Sequence, residues 1–327
     1  MSTPTKIRVS LDWTPNTNHS GLFLAQSLGL YSSGGLDVEL LSPGPDYSIT
    51  PAKRVQNGDA DLAICPSESC IAYAESGGMR LQAIYAILQR DASAIASVTL
   101  ARPKDLSNGT YGSYSARYED AIVKSMISHD GGDPSALRIH SSSGKLDLFD
   151  AVQDRSSSAS ETGIDATWIF TPWEGLEAHL NPAASQDVKL HEWSPTAYGV
   201  PYGYSPVIAR NASSTTTTSS SASSPSLSDE TLKQFIRATR KGYEHALSHP
   251  SEAAEILERK CQPPRSRDFL VESQKLINQS YGGEGELGQM HAERWKAWVE
   301  WLEDKGLLEK GKVGSEENGV WTNEFFG

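Results

Sequence analysis

Cysteine, positive charge and long apolar runs are all scarce in this chain of 327 residues. Its three cysteines, Cys65, Cys70 and Cys261, cannot build a disulfide framework and suit a reducing compartment. Lysine and arginine number 29 against 41 aspartates and glutamates, a formal net charge of -12. That balance argues against nucleic acid or an anionic membrane as a partner. No apolar run approaches the roughly 20 residues of a membrane span. The opening Met-Ser-Thr-Pro-Thr-Lys carries no apolar signal core and leads directly into a strand, so the expected location is cytoplasmic. No Gly-x-Ser-x-Gly elbow and no phosphate-loop signature is present. His140, His179 and His191 are scattered, and His19 has no other histidine or cysteine beside it, so no metal site is expected.

What is present is a repeated strand–helix alternation on a scale that suits two lobes. Ile7–Leu11 alternates like a strand, Leu36–Leu41 has a period of two, and Asp61–Cys65 follows the helix stop Asn57-Gly58. Further strands are expected near 81–88 and 94–101, and the logic repeats over 103–204 with a helix near 117–128 and a strand at 165–170. Pro206–Arg210 reads as a strand returning to the first lobe. The expected division is therefore 1–102 plus 206–327 for one lobe and 103–204 for the other, joined by two crossing strands. Ser213–Ser226 is almost entirely Ser and Thr and reads as a flexible insertion. Downstream, Leu232, Phe235, Ile236, Tyr243 and Leu247 share one helical face, and Trp295, Trp298, Val299 and Leu302 another; both faces are expected core.

The organising stretch is Leu-Asp-Trp-Thr-Pro-Asn-Thr-Asn-His at 11–19, a polar loop between a strand and the apolar helix from Gly21. Open α/β sheets bind ligands at such carboxyl edges, where a helix N-terminus adds free N–H groups. Loops 12–19, 65–69, 110–117, 168–174 and 199–204 qualify on this reading. Trp13, Trp168, Trp173, Tyr202 and Tyr204 offer stacking faces, while Asp12, Asn16, His19, Ser67, Glu68 and Glu174 offer hydrogen-bonding groups. Together they suit a flat heteroaromatic molecule with an amine beside a ring nitrogen, bound in a cleft between the lobes. Core packing explains any one of these aromatics equally well. Gly112, Ser113, Ser115 and Arg117 stand where a glycine-containing turn enters a helix, the pattern of an anion cradle.

The segment LDWTPNTNH…GLFLAQSLGLYSSGGLDVELL, with NGDADLAI (57–64), DATWIFTPWEG (165–175) and TNEFF (322–326), resembles the thiamine-pyrimidine family along nearly the whole chain. That family holds bacterial binding proteins for aminopyrimidine precursors of thiamine and fungal pyrimidine synthases of the same fold. The resemblance and the two crossings both imply the type II periplasmic-binding-protein architecture. The synthases hold pyridoxal phosphate on a lysine, sacrifice a histidine four residues later, and carry a cysteine-rich run for iron. Here those places hold Cys65, Ser69 and Gly199–Tyr204. A thiol forms no stable imine and a serine supplies no imidazole. The expectation is therefore a binder of an aminopyrimidine, or of a phosphorylated relative, that needs no cofactor. A synthase using pyridoxal phosphate and iron is the alternative, and a receptor for another heterocycle or a sulfonate is a third reading. A homodimer is the one protein partnership expected.

Overall fold

The computed structural model describes residues 3–44, 47–141, 148–154, 163–180, 189–213, 227–283 and 285–326. Apart from Ser213, the expected Ser/Thr insertion lies outside them. The chain divides into two compact units, residues 1–90 with 203–327, and residues 91–202.

The first unit opens with strand β1 (Thr5–Ser10), helices α1 (Ser20–Ser27) and α2 (Leu30–Ser33), β2 (Leu36–Leu41), α3 (Pro51–Asn57), β3 (Leu62–Cys65), α4 (Ser67–Glu75) and β4 (Leu81–Ala86). The second unit contains β5 (Ser93–Ser97), β6 (Thr110–Ser113), α5 (Glu119–His129), β7 (Arg138–Ser141), α6 (Leu148–Asp154), β8 (Ala166–Phe170), α7 (Leu176–Leu180) and β9 (His191–Trp193). Back in the first unit lie β10 (Val207–Asn211) and helices α8 (Asp229–Ser248), α9 (Pro250–Glu258), α10 (Arg267–Tyr281) and α11 (Ala292–Asp304).

Each unit is built on a five-stranded mixed sheet, in the orders β2-β1-β3-β10-β4 and β7-β6-β8-β5-β9. In the first sheet β1 runs parallel to β2 and β3, and β10 inserts antiparallel between β3 and β4. β10 thus returns to the first sheet, as its apolar pattern predicts. The strand expected near 94–101 corrects the expected boundary. Its place in the sequence predicts the first lobe, but β5 pairs antiparallel with β8 and β9. The first passage between units therefore falls at Arg90–Asp91 rather than near 102, and the second at Tyr202–Gly203. An apolar strand shows its period but not its partner, and β5 is buried among strands that follow it in sequence.

Helix α1 lies unusually close to α8. A Cβ at Gly242 would meet the Gly21 carbonyl oxygen at 2.0 Å, and one at Gly21 would meet the Tyr243 ring at 2.3 Å. Two glycines let the backbones approach, and this seats the loop before α1 against the C-terminal helices. Both apolar faces expected to be core are buried apart from Leu247, which is half-buried. Near the ends of the first unit's segments, the Arg294 guanidinium donates to the carbonyls of Gln89 and Gly203 and lies 4.2 Å from the Tyr204 ring centre. Among the described residues, no helix is long and apolar enough to cross a membrane.

Candidate functional site

The register of the first sheet sets the loops after β1 and β3 side by side. Ser10 pairs with Ala63, so Asp12 leaves the sheet next to Cys65. The loop then folds into a single 3-10 turn at Thr17–His19, capped by Asn16, whose side-chain oxygen accepts from the Asn18 N–H at 2.8 Å. His19 is fully buried beneath this turn. Its Nδ1 accepts from the Asn16 N–H at 3.3 Å, which leaves the ring proton on Nε2 to be donated to Asp12 Oδ1 at 2.8 Å. One imidazole therefore fixes the direction of one carboxylate.

The turn is pinned from behind by the C-terminal helices. Tyr243 donates its hydroxyl to the Asn18 carbonyl at 2.7 Å, and Tyr281 donates to the Thr17 carbonyl. Thr17 and Ser273 exchange a hydroxyl bond of 2.8 Å, and Ser20 donates to Gln274. Cys261 donates its thiol to the Pro15 carbonyl. Against this rigid backing, the Asp12 side chain keeps 27% of its surface exposed. Trp13 is half-buried, its ring centre 4.6 Å from that of Tyr47 and tilted by 34°. Asp12, Trp13 and Thr14 are thus the half-buried residues of the loop, and Pro15 to His19 are buried.

At the neighbouring loop, Ser67 and Glu68 are both buried, and Ser67 donates to Glu68 Oε2 at 3.3 Å. Ser67 is also anchored by its N–H, which donates to the Tyr204 carbonyl. Cys65 is buried as well. Its hydrogen bond with Cys70, together with burial, pushes the thiol pKa well up. That is the opposite of an activated nucleophile.

The structure thus refines the expected site. Asp12 and Trp13 keep exposed surface. Asn16 and His19 are buried and spent on holding Asp12 and the turn. Tyr204 is likewise a core residue, 1% exposed, its hydroxyl accepting from the His291 N–H.

In the second unit, Trp168 on β8 is half-buried and packs at 5.6 Å against Tyr202, which is 7% exposed. Trp173 and Glu174 lie in a wide π-helical turn, Thr171–Gly175, and Glu174 accepts from the Phe170 N–H at 2.9 Å. The expected anion cradle is occupied from within the protein. Glu119, 4% exposed, accepts from the N–H groups of Tyr114 and Ala116 and from the Tyr111 hydroxyl. Ser113 accepts from the Ser115 N–H and donates to Asp120. Ser115 adopts a left-handed φ of 59°, which turns the loop back around the carboxylate. Gly112 faces the core, where a Cβ would stand 3.0 Å from Ile164 and Leu148. Arg117 is exposed, 6.0 Å from the Tyr118 ring centre.

Two residues were missed by sequence reasoning. Tyr47 follows a Pro-Gly-Pro turn and carries no signal tying it to Trp13. Glu119 opens α5, where a carboxylate suits the helix N-terminus, but no residue pattern marks it as the acceptor for the loop before it.

A two-unit α/β chain with a five-stranded mixed sheet in each unit has the fold of the periplasmic binding proteins. The alkanesulfonate-binding protein SsuA of Xanthomonas axonopodis pv. citri, solved with MOPS bound, matches with a TM-score of 0.65 at 12% identity, over 95% of this chain and 96% of that one. A Candida albicans gene product with the generic periplasmic binding protein fold matches with a TM-score of 0.65 at 18% identity, over 94% and 92%. Within that fold the chain belongs to the NMT1/THI5-like family, whose sequence profile matches residues 16–253. The formylaminopyrimidine-binding protein of Halalkalibacterium halodurans is 24% identical over 317 residues, covering 95% of this chain and 88% of that protein.

Proposed function

We propose that this protein binds an aminopyrimidine precursor of thiamine, of the formylaminopyrimidine kind and without a phosphate, at the carboxyl edge of the first sheet. The observation that carries the reading is the Asp12 carboxylate held by buried His19 beside the half-open indole of Trp13. One Asp12 oxygen is committed to His19, and the other is available to accept from an exocyclic amine. The pyrimidine ring stacks on Trp13, which Tyr47 supports from beside. The relationship to a formylaminopyrimidine-binding protein supports the same ligand class.

The unphosphorylated form is favoured because the loop at 113–117 already holds an anionic group of its own. A ligand phosphate there would have to displace Glu119 and would face Asp120. The residues also do not fit pyridoxal phosphate. Cys65, which the resemblance to the synthases sets at the place of their imine-forming lysine, is buried and bonded to Cys70.

A thermal-shift panel of hydroxymethyl-, aminomethyl- and formylaminomethyl-pyrimidines, with and without phosphate, tests the reading. A ligand at about a hundredfold its Kd stabilises the native state by roughly 2.7 kcal/mol. The expected result is a shift with an unphosphorylated pyrimidine that is larger than with its phosphate. Trp13→Ala should weaken binding by about tenfold, the equivalent of losing one aromatic stack of roughly 1.4 kcal/mol. A shift confined to phosphorylated pyrimidines, or one indifferent to Trp13, overturns the proposal.

A further inference from the structure

A second cluster of ligating side chains lies away from the loops just described, where α8 ends and α9 begins. His245 sits in the last turn of α8, His249 is the joint between the two helices, and Glu252 is in the first turn of α9. One ligand atom from each of the three lies within 4.8 Å of the others. His245 Nε2 and Glu252 Oε2 are 2.7 Å apart, and the two imidazoles stack with centres at 4.1 Å and planes 10° apart.

The hydrogen bonds around His249 settle which of its nitrogens is open. Its Nδ1 lies 3.3 Å from the His245 carbonyl oxygen and 3.0 Å from Ser248 Oγ. A carbonyl can only accept, and the Ser248 hydroxyl spends its hydrogen on the carbonyls of Glu244 and His245. Nδ1 therefore carries the proton, and Nε2 keeps its lone pair. A ring N–H donated to a backbone carbonyl, with the other nitrogen turned outward, is how metal-binding histidines are held.

We propose that His245, His249 and Glu252 form a binding site for a borderline divalent transition metal, of the zinc, copper or nickel kind, that clasps the corner between α8 and α9. Two imidazoles and one carboxylate are the donors these ions take, and a set with one oxygen disfavours magnesium or calcium. The ion takes the place of the proton shared between His245 Nε2 and Glu252. Bound donors stand ~3.4 Å apart around a tetrahedral ion with bonds of about 2.0–2.1 Å. The two imidazole planes, now 10° apart, have to turn out of their stack so that both lone pairs meet the ion, a movement for which His249 and Glu252 have room because both are exposed. Solvent completes the coordination. The site is built wholly from one helix–helix corner, and it stands or falls independently of the ligand proposed above.

The test uses the full chain, with copper(II) as the spectroscopic probe and zinc(II) as the calorimetric one. Copper should bind one equivalent with nitrogen hyperfine couplings from two imidazoles, and zinc should compete for it. His249→Gln and His245→Gln should each remove one nitrogen coupling. Together with Glu252→Gln, they should weaken zinc binding at least tenfold. His249 and Glu252 are exposed and His245 is half-buried, so unchanged circular dichroism and unchanged thermal unfolding without metal verify that each variant folds. A one-equivalent copper signal with the same two nitrogen couplings in His245→Gln and His249→Gln would place the ion elsewhere and refute the site. The absence of any saturable one-equivalent binding in the unaltered chain refutes it too.

Discussion

The loop after β1 and the loop after β6 begin from the same plan and end with opposite properties. Each leaves the carboxyl end of a strand, carries small polar residues and an aromatic, and enters a helix. In the first, an imidazole is buried and a carboxylate is left partly open: His19 sits at 0% exposure and holds Asp12. In the second, the carboxylate is the buried group. Glu119 takes up two loop N–H groups and a tyrosine hydroxyl. Sequence shows which donors and acceptors a loop owns. What is left over for a ligand depends on which of them the protein pairs with each other first.

The comparison breaks most visibly at Glu119. Replacing it with alanine removes the acceptor for three buried or part-buried donors at once, and an orphaned buried polar group costs about 1–3 kcal/mol. Glu119→Ala should therefore destabilise the protein by roughly 3–5 kcal/mol, measured by urea unfolding. Glu119→Gln, which keeps one oxygen, should lose much less. If an added anion instead restored the alanine variant to full stability, the loop would be a cradle after all.

Much of the fold was legible in the residues, though the contrast between the two loops was not. The strand–loop–helix order at 11–19, the strand at 165–170 and the return of β10 to the first sheet all follow from apolar periodicity and turn chemistry. The role of Asp12 and Trp13 as exposed groups was within reach of that reading as well. The burial of His19 was not, because it depends on Tyr243, Ser273 and Tyr281, more than two hundred residues away in the chain. The same is true of β5, whose partners β8 and β9 lie far downstream. Long-range pairing is the part of a fold that a local pattern does not encode.

The first loop is sharpened by separating position from contact. Asp12→Asn keeps an oxygen that can accept from His19 Nε2, while it turns the outward acceptor into a donor. It should change stability by less than about 1 kcal/mol yet weaken aminopyrimidine binding at least tenfold. His19→Leu should do both kinds of damage. It leaves the Asn16 N–H and Asp12 without their partner and costs about 2 kcal/mol, with a comparable loss of affinity. Paired urea melts and ligand titrations distinguish the two. Equal stability losses in both variants would mean that Asp12 is structural rather than a ligand contact.

The smallest expected effect is a difference in pH dependence at the second loop. Burial pushes the Glu119 carboxyl above its usual pKa, against the hydrogen bonds that favour its charged form. A carboxyl whose folded pKa is raised binds its proton more tightly in the native state than in the unfolded one. Between the unfolded pKa and the raised folded pKa, the native state holds more protons, so this group makes stability fall as pH rises. A single proton can contribute a slope of at most about 1.36 kcal/mol per pH unit. The many other carboxylates of an acidic chain set the overall profile, so the measurement is a difference between two proteins. Unaltered protein and Glu119→Gln are melted in urea from pH 4 to pH 7. Relative to Glu119→Gln, the unaltered protein should lose stability across the lower part of that range and then run parallel to it. A difference that grows in the opposite direction would mean that the loop N–H groups outweigh burial. Glu119 would then act as a fully charged anchor for them.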